Sequence, residues 1–249
     1  MYRRSIALAG VLGLAVTTPN AFAAELDAIN ALGAGAQRDF RLLSEDLGAA
    51  LSYKALSPAE PLGITGFDIG VEVTNTELEN EVLFRRVGYN ESSLPVPKLH
   101  VHKGLPFNFD VGVMYSAFDD YSLVGAELKY AILAGNTALP AIALRATYSK
   151  LGGLDQLDFE TVGGELTVSK GFAMLTPYAG IGTVRATSTP QGIAAAPIAT
   201  GGAGLREEKF NLDKYFVGIN LNFGIVNFAI EGDKTGDATT YGGKFGLRF

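Results

Sequence analysis

From Leu47 to Phe249 the apolar residues of this chain fall at every second position, run after run, and that period constrains the fold more than any other feature. The closing segment is the clearest case. Tyr241, Gly243, Phe245, Leu247 and Phe249 alternate with Gly242, Lys244, Gly246 and Arg248 up to the final residue. A step of two puts one set on each face of a β-strand. The apolar face then needs an apolar medium, and with aromatics at both of its ends lipid supplies that medium more naturally than a protein core.

The same step recurs at Leu47–Tyr53, Phe67–Val73, Leu99–Val101, Phe107–Tyr115, Val124–Ile132, Ile142–Tyr148, Val162–Val168, Tyr215–Phe223 and Val226–Ile230, with a further strand at 173–187 whose facing is ambiguous. Short turn signals such as Lys103-Gly-Leu-Pro106, Gly135-Asn136, Gly152-Gly153 and Asp233-Lys-Thr-Gly-Asp237 separate them, so sequence neighbours pair antiparallel. These runs number eleven. A chain that starts and ends at the periplasmic face needs an even count. Either a strand at 82–89 is added, or 47–56 belongs to the leader. The expectation is an all-β, antiparallel up-and-down transmembrane barrel of about twelve strands, with ten as the alternative. Counting back from the end puts 75–97, 119–121, 151–156, 188–211 and 233–237 on one rim. That rim holds both long connections, as an outer surface should.

The residues before the barrel read differently. Met1 to Ala23 has the form of a secretory signal peptide: Arg3 and Arg4, an apolar run from Ile6 to Val16, and Ala21-Phe22-Ala23 as cleavage site. Residues 24–46 form a leader in which Phe40, Leu43 and Leu47 fall at helical spacing. A short helix is expected there, either entering the lumen as a plug or packing on the rim. The barrel is expected to cover 47–249.

Composition narrows the function. Removing the signal peptide leaves 18 basic against 26 acidic residues, an acidic balance that argues against nucleic acid as a partner. There is no cysteine, hence no disulfide and no thiolate chemistry. No later stretch reaches the roughly 18 apolar residues of a membrane-spanning helix, although 47% of the chain is hydrophobic. Strands long enough to cross a tilted bilayer also exceed the usual length of sandwich strands.

The chain resembles bacterial outer-membrane β-barrel proteins, at the level of the class of small porins and hydrophobic-compound transporters. The resemblance rests on the alternation from 47 to 249 and on the closing strand, where Tyr241, Phe245, Leu247 and Phe249 look like the C-terminal assembly signal of such proteins; Lys244 stands where that signal usually carries glycine. It implies location in the outer membrane of a Gram-negative envelope, with outer-membrane lipid and the barrel-assembly machinery as partners and a small-molecule solute as candidate passenger. No motif fixes a substrate.

Alternation assigns Lys54, Asp68, Glu72, Asp110, Glu127, Lys129, Arg145, Glu165, Glu231, Lys244 and Arg248 to the polar, lumen-lining face. Charges of both signs there either tune ion passage or pair and fill the lumen. His100 and His102 share one face, a spacing that can grip a metal. With no cysteine and no acid that sequence can place beside them, they read as polar lumen residues, and no metal or cofactor is expected. No serine sits in a nucleophile context, so no enzymatic role is expected. The leading reading is passive passage of small solutes. The alternative is a closed barrel whose outer loops, above all 188–211, bind a partner or surface.

Overall fold

The computed structural model describes residues 29–32, 36–118, 121–196 and 204–249; the signal-peptide and cleavage-site expectation lies outside them. Ten antiparallel strands close into a barrel: β1 (Phe67–Glu77), β2 (Ser93–Gly104), β3 (Phe109–Phe118), β4 (Tyr121–Leu133), β5 (Ala141–Gly152), β6 (Leu157–Ser169), β7 (Leu175–Pro190), β8 (Glu208–Phe223), β9 (Val226–Thr235) and β10 (Ala238–Arg248). Each pairs with its sequence neighbours. β1 closes on β10 in a register running from Asp68↔Arg248 to Thr76↔Thr240. Closure pairs both sheet edges, the condition for crossing a bilayer with strands.

The count is ten rather than about twelve. The run at 47–56 is not a strand: Ala36–Leu51 is a helix, α1, and 52–66 is irregular. Its period-two pattern is an accident of small residues, since Gly48, Ala49 and Ala50 fit either period, while Phe40, Leu43, Leu47 and Leu51 define the helical face that is buried. The barrel therefore begins at Phe67, not at 47. The added strand at 82–89 is also absent: Glu81–Arg86 forms a short helix, α2, roofing one rim.

A stretch read as loop proves to be strand. Pro95 and Pro97 argue against a paired strand, yet β2 includes both. β2 pairs with β1 from Ser93 onward, whereas it pairs with β3 only from Leu99 to Gly104. The prolines thus sit where one edge of β2 has no ladder to complete.

Connection 78–92 leaves one rim, as does 191–196, which carries a short helix at Gly192–Ala195 (α3); the described residues 204–207 lead back into β8 at the same rim. The opposite rim has only short turns and holds the start of β1 and the end of β10. The first, with the longer connections, is the outer rim and the second the inner rim. The pre-barrel segment runs through the lumen between them. Gln37 Nε2 donates to the Arg206 carbonyl (3.0 Å) and Asp46 accepts from the Asn80 amide (2.8 Å) at the outer rim. Leu62 N–H donates to Asp110 (3.1 Å), and a turn closed by Gly66 N–H on the Gly63 carbonyl (2.9 Å) feeds β1 at the inner rim. Gly63 has φ +78°, a value that favours glycine. The described pre-barrel chain therefore starts at the outer rim; the mature N-terminus, which the parity argument puts at the periplasmic face, lies outside the described residues.

Candidate functional site

The lumen has two halves, and the chemistry of the threaded segment changes between them. In the outer half Phe40, Leu43, Leu47 and Leu51 of α1 pack into one buried apolar cluster with Leu94 and Val96 of β2, Phe159 of β6, Val184 of β7, Phe210 and Leu212 of β8, and Phe84 of the roof. Burying four such side chains is worth about 1.5–3 kcal/mol each at most. Gly48 lies where α1 approaches the wall; a Cβ there would meet Leu212 Cδ1 at 3.0 Å.

In the inner half the filling is polar. Lys129 bonds Asp110 (2.8 Å) and donates to the Glu60 carbonyl (3.0 Å). Arg145 joins Glu127 (3.0 Å) and Glu165 (2.8 Å), and also donates to the Ser57 carbonyl (3.2 Å). Lys214 bonds Glu165 (2.6 Å) and donates to the Tyr53 carbonyl (3.3 Å). Lys98 bonds Glu72 (2.9 Å), and Asp68 holds Lys244 (2.9 Å) with Arg248 at 3.8 Å. Nearer the outer rim, two residues from the end of β9, Lys54 reaches Asp233 (2.7 Å). Every wall cation in these pairs except Arg248 is buried. The gap bounded by Ser57, Leu62, Asp68, His102, Asp110, Glu127, Lys129 and Arg248 has no room for a water molecule.

The structure places the sequence-assigned residues as follows. Asp68, Glu72, Asp110, Glu127, Lys129, Arg145, Glu165, Glu231 and Lys244 are buried on the lumen face, and Arg248 is half-buried at the inner end. Lys54 is in the lumen too, but it belongs to the threaded segment and not to the wall. Tyr241, Phe245, Leu247 and Phe249 face outward. Lys98, Lys214 and Asp233 complete the network and were not assigned from sequence. Each lies on the inward parity of a strand that extends beyond its legible core, so continuing the alternation outward by one to three residues finds them. The facing of β7 is settled by Tyr178 and Val184, which point inward. The Tyr178 ring lies against Gly218, which has no side chain to obstruct it.

His100 and His102 are buried among these charges. His102 Nε2 is 2.9 Å from Tyr53 Oη and 4.0 Å from Glu127; His100 Nε2 is 3.3 Å from Asp68. The acid that sequence alone did not place is thus Asp68, on the adjacent strand.

The outer wall is the opposite in character. Ile69, Val71, Leu99, Val113, Leu128, Leu166, Val217, Ile219 and Ile230 are all exposed. Near the inner rim aromatics gather into a girdle: Phe109 stacks on Tyr130 (4.7 Å between ring centroids), Phe67 on Phe249 (5.7 Å), and Phe228 leans on Phe245 (4.9 Å). An apolar band around a closed barrel with polar groups buried inside matches lipid, not water. This is a membrane-spanning β-barrel.

No protein-family model matches the sequence, and no curated protein matches it. Among solved structures the chain is similar to the N-terminal β-barrel domain of Pseudomonas aeruginosa OprF (12% identity, 75% of this chain and 99% of that one, TM-score 0.35). It is also similar to LpxR from Salmonella typhimurium (10% identity, 72% and 99%, TM-score 0.38) and to the translocator domain of the autotransporter NalP from Neisseria meningitidis (10% identity, 92% and 98%, TM-score 0.35).

Proposed function

We propose that this barrel is closed in its resting form, sealed by its own residues 36–66, and that it acts at the cell surface through its outer rim. The observation that supports the reading is the filled lumen. α1 occupies the apolar outer half, and residues 53–62 bond to wall residues of β2, β3, β4, β5, β6, β8 and β9 in the inner half. A solute has no path past groups paired in this way. The outer rim then offers the roof around α2 and α3 to a partner.

A gated passage of small solutes is the second reading. It is favoured by the wall itself, which carries charges of both signs that would line a polar conduit if the segment withdrew. One experiment separates the two. Ser44 Oγ and Ser188 Oγ are 2.8 Å apart across α1 and β7, close enough for a disulfide, and the chain has no cysteine to interfere. The Ser44→Cys/Ser188→Cys protein, refolded into planar bilayers, should be silent when oxidised. If it stays silent on reduction, the closed barrel stands. If reduction restores discrete, ion-selective conductance, the gated channel replaces it.

A further inference from the structure

We propose that Asp68, His100 and His102 form a binding site for a divalent transition-metal ion of the zinc type. The three residues come from two paired strands. In the β1–β2 register Asp68 stands opposite His102, and His100 stands opposite Gly70. One donor atom from each lies within 4.8 Å of the others, and all three residues are buried.

Three features distinguish this cluster from the ion pairs around it. The Nδ1 atoms of both histidines are buried without any hydrogen-bond partner. Leaving such atoms unpaired is costly; a metal ion bound by His102 through Nδ1, the nitrogen that Tyr53 leaves free, would satisfy one of them, while His100 faces Asp68 through Nε2. The Asp68–His100 separation of 3.3 Å is long for a charge-assisted hydrogen bond. It equals the edge of a tetrahedron with metal–ligand bonds of about 2.0 Å, roughly 3.3 Å. Room for the rings is built into the backbone. A Cβ on Gly112 would overlap the His102 ring, and one on Gly70 would lie 3.1 Å from His100 Cε1.

The outer contacts also fit. Lys244 occupies Asp68 Oδ2 at 2.9 Å, which orients the carboxylate and leaves Oδ1 toward His100. Tyr53 Oη, on the threaded segment, fixes the His102 ring through Nε2 at 2.9 Å. Ligand-orienting contacts of this kind are typical of metal sites. Two imidazoles and one carboxylate select zinc-like ions over calcium or magnesium, which prefer all-oxygen cages. Glu127, 4.0 Å from His102, supplies a second negative charge beside the site. Because Tyr53 touches a ligand, a bound ion also fastens the threaded segment to the wall. Burial means that loading accompanies folding.

The test uses the full chain, refolded into detergent in the presence of Zn²⁺ or Co²⁺ and then desalted. Folded wild-type protein should retain one equivalent of zinc, and its Co²⁺ form should show the strong visible bands of low-coordinate geometry. His100→Asn/His102→Asn should lose retention by at least tenfold. Tyr53→Phe should weaken affinity about tenfold while keeping the bands. Folding is checked by the heat-dependent mobility of the barrel on gels. Folded wild-type protein that retains no ion, or whose Co²⁺ form lacks those bands, overturns the proposal, and does so without any variant. Equal retention by the double variant overturns it as well.

Discussion

Among the described residues of the threaded segment Lys54 is the one buried cation. Its Nζ lies 2.7 Å from one Asp233 oxygen and 2.9 Å from the other, and both side chains are almost completely removed from solvent. Replacing Lys54 with methionine keeps the length and removes the charge. Among the described residues Asp233 then keeps one hydrogen bond, from the Thr235 hydroxyl 2.8 Å away, inside a closed lumen. Breaking a buried pair from one side costs about 3–5 kcal/mol, because the remaining charge is left uncompensated. The apolar contacts of α1, together worth about 6–12 kcal/mol at most, still hold the segment. Lys54→Met is therefore expected to leave the barrel folded and closed on average while raising the population with residues 52–62 released. At about 1.4 kcal/mol per factor of ten, the increase is roughly 10²–10⁴-fold. Hydrogen–deuterium exchange of the 52–62 peptide, read by mass spectrometry in detergent, should accelerate by that factor while strand peptides from β5 and β6 stay protected. The double variant Lys54→Met/Asp233→Leu supplies the control. If the damage comes from an orphaned charge, an apolar pair should return exchange near to the wild-type rate. Unchanged exchange in Lys54→Met, or an equally fast double variant, would refute the reasoning.

Three further outcomes are expected. With no native cysteine, Arg38→Cys at the outer rim should react with a membrane-impermeant maleimide on intact cells and Ile64→Cys at the inner rim should not; the reverse pattern would invert the threading. Deleting Phe249 removes its stacking on Phe67 and both backbone bonds between these residues, at 2.7 and 3.0 Å. The membrane-inserted fraction should fall severalfold, and normal insertion would end the idea that the C-terminal aromatic directs assembly. In α1, at the outer mouth, burial pushes the Asp46 carboxyl up to about 6, while two hydrogen bonds from Asn80 draw it back down. A raised folded-state value means that its contribution to docking is fullest below pH 4 and is lost as pH rises through about 6. Asp46→Asn should therefore flatten the pH dependence of α1 exchange between pH 4 and 7, and an unaltered profile would rule Asp46 out as its source.

How much of this was legible in the sequence follows from how local each signal is. Strand facing is set by the pleat, so alternation alone sorts Leu128 from Lys129 and Phe245 from Lys244 wherever the period is clean. It fails where side chains are too small to choose a period, as at Gly48-Ala49-Ala50, and where proline is tolerated because one edge has no partner, as at Pro95 and Pro97. Strand ends are equally hidden, which is why Lys98, Lys214 and Asp233 escaped. The sequence by itself determined a barrel with lipid outside and charge inside, because both faces of each strand are written in its own residues. Only the tertiary structure decided that the inward charges pair, that 36–66 threads the lumen from the outer rim, and that Asp68 meets His100 and His102. Those facts depend on closure and register, which bring together residues as distant as Asp68 and Lys244, and no local pattern records which inward residue will stand beside which.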